Sequence, residues 1–214
     1  MAISSLSKLG VPISGDQSAG NQGLLMPKLQ YRFRVLFENF GVSKPTTELT
    51  KQVMTAGRPS VEFDDVVLDA YNSRIKIAGK PKWNDISIVI RDDATGAVSN
   101  LVGEQIQKQF DFFEQASAAS AGDYKFTTRI EILDGGNGAI QPAILETFEL
   151  YGCYVQKAEY KGGDYKTSDP LDITLNIKYD NALQFNAIGI QSGIGSIFNR
   201  IVGGVSATGG GIAI

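Results

Sequence analysis

The segment from Ser168 to Ala182 constrains the fold more than any other part of this 214-residue chain. Its odd-numbered positions are apolar, and they are Leu171, Ile173, Leu175, Ile177 and Tyr179. The positions between them are polar, and they are Asp172, Thr174, Asn176 and Lys178. Alternate residues of a strand share a face, so this strand has one dry face and one wet face. Such a strand needs partner strands and a covering layer, and a sheet with one solvated face can close into a ring.

Further strands follow from the same alternation and from the turn residues that separate the segments. In order they are Tyr31–Phe37, Leu49–Thr55, Val61–Leu68, Arg74–Ile77, Asp85–Arg91, Tyr124–Leu133 and Glu146–Tyr160. Gly79-Lys80-Pro81 is expected to end the fourth of these strands, and Gly152 is expected to form a bulge in the last. With these strands, the chain is predicted to be a mainly β protein.

One segment changes period and predicts a helix. Apolar residues recur at a spacing of 3.6 in a stripe made of Val98, Leu101, Val102, Ile106, Phe110 and Phe113. The Ala- and Ser-rich segment from Ala116 to Ala121, with Gly122 after it, is expected to end the helix before the next strand. It is the only helix that the pattern supports strongly.

The composition excludes most familiar catalytic sites. The chain has no histidine, which removes the usual general base and the commonest metal ligand. Cys153 is the only cysteine, so no internal disulfide forms, and its place in a strand predicts a small buried side chain. The 20 Lys and Arg against 23 Asp and Glu are scattered singly, without the cluster that a nucleic-acid-binding surface needs.

No short motif carries a strong chemical signal. Asp134–Gly138 has one carboxylate and no EF-hand spacing, so it predicts a turn and not a calcium site. No glycine cluster continues as a phosphate-binding loop. The doublets Asp64-Asp65 and Asp92-Asp93 lack a visible cleft, and Trp83 is interpreted as an anchor of its turn to the core. The sequence therefore predicts a protein that is not an enzyme and holds no cofactor or metal.

Three regions are predicted along the chain. Residues 1–29 are rich in Ser, Gly, Gln and Asn and form an N-terminal arm. Residues 30–182 form the β-domain, and residues 183–214 form a Gly- and Ile-rich extension with a short amphipathic helix near Ile194–Val202. No secretory signal or membrane-spanning run is expected.

In their order, these segments resemble the tail tube proteins of contractile-tailed bacteriophages, which share a fold with type VI secretion and bacteriocin tube proteins. The similarity runs from about Leu29 to Asn181. It rests on Tyr31–Phe37, Ala78-Gly79-Lys80-Pro81-Lys82-Trp83-Asn84-Asp85-Ile86, Asp92-Asp93, Gln109-Phe110, Leu150-Tyr151-Gly152-Cys153 and Ser168–Ala182. The resemblance implies two packed antiparallel sheets, a β-sandwich or barrel with one flanking helix, whose strands join a six-fold ring barrel.

The resemblance also implies where subunits meet. The family extends a loop or hairpin from one ring to the next, and by position this is Arg58–Lys82. Its apolar residues are the candidates for the contact between rings, and they are Val61, Phe63, Val66, Val67, Leu68 and Tyr71. Candidates for the lumen wall are Asp172, Thr174, Glu146 and Glu149, with an outer surface that faces the sheath as the alternative.

The function implied is a structural virion protein, the inner tail tube through which the genome is ejected. The implied partners are further copies of the chain in stacked hexameric rings, the tail sheath, baseplate, tail terminator and tape measure proteins, and viral DNA in transit. The protein would assemble in the host cytoplasm and end in the virion tail. The alternative is the tube of a phage-tail-like bacteriocin or a type VI secretion-like machine. A lumen wall of neutral or mixed charge would favour this alternative.

Overall fold

The computed structural model describes residues 27–42, 46–135 and 142–186. The predicted arm lies outside these residues as far as position 26, and so does the predicted helix of the C-terminal extension. The chain divides into a unit that ends at Arg32 and a second unit that begins at Phe33. In the first unit, the Arg32 amide donates to the Leu29 carbonyl at 3.2 Å and closes a turn.

The described elements confirm a mainly β fold with a few helices. In chain order they are β1 (Phe33–Glu38), α1 (Thr47–Gln52), β2 (Val53–Ala56), β3 (Val61–Ala70), β4 (Ser73–Trp83), β5 (Ile86–Arg91), α2 (Ala97–Gln109), β6 (Phe110–Asp111), β7 (Ala116–Ser117), α3 (Ala121–Tyr124), β8 (Phe126–Leu133), β9 (Ile144–Tyr160), β10 (Asp172–Lys178) and β11 (Asn181–Asn186).

Seven strands form two antiparallel sheets that share β9. The first sheet joins β1, β8, the first half of β9 and β11, and the second joins the other half of β9, β10, β5 and β2. Apolar residues from both sheets and from α2 form one buried cluster, as alternation along each strand requires. The dry face predicted for the closing strand is confirmed at Ile173, Leu175, Ile177 and Tyr179, whereas Leu171, just before β10, is exposed.

Gly152 marks the point where β9 passes from one sheet to the other. Its φ of +68° is strained for any other residue. Around it, Phe126 pairs with Cys153 and Thr128 pairs with Leu150, so two residues of β9, Tyr151 and Gly152, oppose the single residue Thr127 of β8. The Asp180 amide donates to the Tyr151 carbonyl at 3.0 Å, and the Asp180 carboxylate accepts from Lys125 Nζ at 2.6 Å. The predicted bulge is therefore confirmed.

Side-chain amides fix α2 across this core. Gln105 Oε1 accepts from the Gly41 amide at 3.1 Å, while Gln105 Nε2 donates to the Tyr124 carbonyl at 2.7 Å. Gln109 binds both backbone groups of Val155, accepting from its amide and donating to its carbonyl, each at 2.9 Å. These bonds satisfy backbone groups that would otherwise be unpaired beside a packed helix.

Three local predictions are wrong. Leu49–Thr55 is not a strand, because Thr47–Gln52 forms α1, which buries Leu49, before β2 begins. β4 does not end at Gly79-Lys80-Pro81 but continues to Trp83 through an irregularity in its pairing with β3. The predicted helix ends at Gln109 and does not reach Phe113, because the Asp111 carboxylate accepts hydrogen bonds from the Phe113 and Glu114 amides. A local turn of this kind competes with a helix for the same backbone groups.

Candidate self-assembly surfaces

The hairpin of β3 and β4 carries eight of the large apolar side chains that are exposed among the described residues. Its 23 residues, from Val61 to Trp83, are exposed at all positions except Gly79 and Trp83. All six predicted inter-ring residues lie on it, and each is exposed. Within the described residues, β3 and β4 pair only with each other. Exposed apolar side chains in this number mark an interaction surface.

The pairing register divides the hairpin into two unlike faces. Val66 pairs with Ile77 and Leu68 pairs with Ile75, so these four side chains share one face. The opposite face carries two ion pairs. Asp69 meets Arg74 at 2.7 Å, and Asp65 meets Lys76 at 3.3 Å. We call the first face, made of Val66, Leu68, Ile75 and Ile77, the aliphatic face, and the second the ion-paired face.

The six predicted residues therefore do not form one surface. Val66 and Leu68 lie on the aliphatic face, Val67 pairs with Lys76 on the ion-paired face, and Tyr71 lies in the turn at the tip. Val61 and Phe63 lie near the base, where they pair with Trp83 and Pro81. Sequence reasoning missed Ile75 and Ile77, although their alternation with Arg74 and Lys76 was a usable signal.

Contacts at the base hold the hairpin to the body. Trp83 packs against the core, with its ring 5.7 Å from that of Tyr179, which confirms the predicted anchor. The Asn84 amide donates to the Ser60 carbonyl at 3.0 Å, and its side chain donates to Glu62 at 3.0 Å. The hairpin thus leaves the body from a fixed base.

The structure places the lumen candidates in two different sheets. Asp172 and Thr174 lie on the half-buried polar face of β10 in the second sheet. Asp172 Oδ2 lies 3.6 Å from Lys161 Nζ, and Thr174 pairs with Val89 and Glu159. On the same face, Lys157 contacts Glu159, and Lys178 lies 3.8 Å from Asp85.

Glu146 and Glu149 are three residues apart on β9 and therefore lie on opposite faces of the first sheet. Glu149 accepts from Arg129 Nε at 2.8 Å and from the Tyr151 hydroxyl, and the bond to Glu149 raises the pKa of Tyr151. Arg34 donates to Glu131 at 2.7 Å on that face. Glu146 is buried and accepts from the Gln184 amide.

The remaining candidate groups have structural roles. Cys153 is fully buried, and burial raises the pKa of its thiol to about 11, as expected for an unreactive side chain. Asp93 accepts from Thr95 and from the Val98 amide at the start of α2, and these bonds lower its pKa. Among the residues described, no group of three potential metal ligands occurs. No helix there is long and apolar enough to cross a membrane.

Comparison with known proteins identifies the fold. No family model and no curated protein sequence matches the chain. Among solved structures, a chain of the anti-feeding prophage tube-terminating cap matches with a TM-score of 0.57 and 13% identity, covering 79% of this chain and 98% of that one. A chain of the anti-feeding prophage baseplate matches at 0.54 and 12%, covering 77% and 99%.

A chain of the PVC sheath-tube complex, from an extracellular contractile injection system, matches at 0.52 and 12% identity, covering 75% of this chain and 92% of that one. Identities this low show the fold alone. The chain has the fold of the tube proteins of contractile injection systems, and this confirms the fold implied by the sequence resemblance.

Proposed function

We propose that this protein is the structural subunit of the inner tube of a contractile injection machine, namely the tail tube of a contractile-tailed bacteriophage. The observation that carries the proposal is the shared fold, which extends over at least 92% of each neighbour described above. The exposed hairpin supports it, because a surface of this kind is expected to be covered in an assembly.

The free strand edges explain how subunits would join. Among the described strands, β1 and β2 each have one hydrogen-bonded neighbour, and β11 pairs only with β9. Unpaired edges are liable to aggregate unless they are covered or closed. In a ring of six subunits, the edge strands of neighbours would pair into one continuous barrel, and no edge would remain exposed.

The polar faces suit a channel that lets a polymer pass. In both sheets the candidate carboxylates are paired with cations of the same chain, Asp172 with Lys161 and Glu149 with Arg129. A wall with internally paired charges offers few free cations to phosphates, so passing DNA would release few counterions and bind weakly. We therefore keep Asp172, Thr174 and Glu149 as proposed lumen residues, with buried Glu146 holding Gln184 at the sheet edge.

A second candidate function is the tube of a related machine that delivers protein, such as a phage-tail-like bacteriocin or a type VI secretion-like device. The same ion pairs favour it, because they make both candidate faces mixed in charge and not strongly negative. The neighbours with matching folds also come from the anti-feeding prophage and an extracellular contractile injection system.

The partners proposed for the tube are further copies of this chain, the sheath around it, the baseplate and terminator at its ends, and a tape measure protein inside it before ejection. Assembly would take place in the host cytoplasm, and the phage tube would end in the virion tail. The neighbouring structures include baseplate, cap and sheath-tube assemblies, which supports this set of partners in kind.

Negative-stain electron microscopy of the full chain at high concentration tests the proposal. We expect rings or hollow rods with six-fold end views. Baseplate extract added as a nucleus serves as the second condition, since some tubes grow only from a template. Monomers in both conditions would overturn the proposal.

A further inference from the structure

We propose that only one side of the β3–β4 hairpin docks on a second copy of this chain, and that this side is the aliphatic face. The ion-paired face then stays in water. The inference rests on the proposed function and adds to it the docking side and two residues, Ile75 and Ile77, that the sequence did not indicate. Three observations on the hairpin carry it.

The first observation is the size of the exposed hairpin. One side of a standard protein interface uses roughly 20–30 residues. The hairpin has 23 residues, of which 21 are exposed. Its two faces together match one side of a standard interface, and the aliphatic face alone supplies about half of that extent. A partner that covered it would be a protein surface, because the hairpin presents an exposed two-stranded sheet.

The second observation is that the charged side chains nearest the tip of the hairpin pair with one another. Asp69 is paired with Arg74, and Asp65 is paired with Lys76, so the ion-paired face offers little free charge to an acidic or basic partner. The aliphatic face has no such ions among its four members. We expect this face to bind another apolar protein surface, because the removal of apolar area from water is the main favourable contribution to the free energy of association.

The third observation is that the hairpin is prepared for docking before a partner arrives. Its register is continuous from Asp65 to the tip, where Ala70 pairs with Ser73 and the Ser73 hydroxyl donates to the Ala70 carbonyl at 3.0 Å. At the other end, a Cβ on Gly79 would lie 2.7 Å from the Asp64 carbonyl oxygen, so the strands approach there more closely than another residue allows. A preorganised surface loses less entropy when it binds.

A second copy is the occupant because the hairpin and the sheet edges are different surfaces of one chain. Contact between two unlike surfaces of identical chains is heterologous, and such contacts repeat into rings or filaments. The described strands offer free edges at β1, β2 and β11, which would join neighbours within a ring. The hairpin is then available for the contact between one ring and the next.

Neighbouring valines provide a matched test. Val66 on the aliphatic face is 46% exposed and Val67 on the ion-paired face is 44% exposed, so V66E and V67E make the same change at equal exposure on opposite sides. The concentration at which the full chain assembles is measured by sedimentation velocity and negative-stain microscopy. Urea unfolding of both variants checks that each is folded.

We expect V66E to raise the concentration needed for assembly at least tenfold, which is an effect typical of a residue at the centre of an interface. V67E should change this concentration by less than about twofold. Equal assembly of both variants and the wild type would overturn the docking side while leaving the proposed tube intact. A larger effect of V67E would assign docking to the ion-paired face. If the wild type self-associates without forming rods, the proposed tube is refuted, and the comparison of V66E with V67E still shows which face of the hairpin docks.

Discussion

Replacing Gly152 tests the most constrained point of the fold, the corner at which β9 changes sheets. In G152A the new residue keeps a φ near +68°, which costs an L-residue about 1–2 kcal/mol. The added Cβ would lie 2.8 Å from Asp180 Cγ and 3.2 Å from Asp180 Cβ, so that side chain must move. Moving it breaks the ion pair with Lys125, whose loss costs about 0–1 kcal/mol because both groups are partly exposed. The total is a destabilisation of about 1–3 kcal/mol.

Urea unfolding of G152A, D180A and the double variant measures these contributions. We expect D180A alone to cost less than about 1 kcal/mol, because it loses a partly exposed ion pair. In the double variant the carboxylate that meets the new Cβ is gone, so its stability should be no lower than that of G152A. The two effects are therefore expected to fall short of additivity, as they do for residues in contact.

Gly103 gives the matched control. It lies on the exposed side of α2, and a Cβ added there meets no atom within 4 Å. Alanine in a helix is favoured over glycine by about 1 kcal/mol, so G103A should stabilise the protein or leave it unchanged. If G152A unfolded within about 0.5 kcal/mol of the wild type, the account of the β9 corner would be refuted.

Two further predictions concern buried groups. Native protein should react with a thiol reagent far more slowly than urea-unfolded protein, because Cys153 is buried and its pKa is raised to about 11; equal rates would show that this strand opens readily. Q109A should lower the free energy of unfolding by about 1–3 kcal/mol, because the Val155 amide and carbonyl both lose their hydrogen bonds to the Gln109 side chain. Q107A removes one exposed hydrogen bond to Asp111 and should lower it by less than about 0.5 kcal/mol. Equal losses in the two variants would contradict the role of Gln109.

The sequence predicted the parts of the fold that depend on alternation. The strands around Val35, Ile88 and Leu175 follow from period-two patterns, and the structure buries their apolar faces. The helix was correctly started near Val98 but extended too far, because Phe110 and Phe113 continue its apolar period. Asp111 ends it through bonds to the following amides, and a periodicity argument does not include such local competition.

The candidate surfaces were predicted as a segment but not as a geometry. The family resemblance located the hairpin and its apolar composition agreed, yet neither could separate Val66 from Val67, because the face of each depends on its register with β4. For the same reason Glu146 and Glu149 were grouped, although their odd spacing on one strand puts them on opposite faces. The strand β11 was missed because Asn181–Asn186 pairs by contact with distant β9 and has a weak pattern of its own.

The most direct test of the account is a cryo-EM reconstruction of the chain assembled at high concentration. We expect a hollow tube of stacked six-membered rings, with a continuous β wall and with the aliphatic face of each hairpin buried against a subunit of the next ring. Solid fibres, or closed oligomers in which that face remains exposed to water, would contradict it.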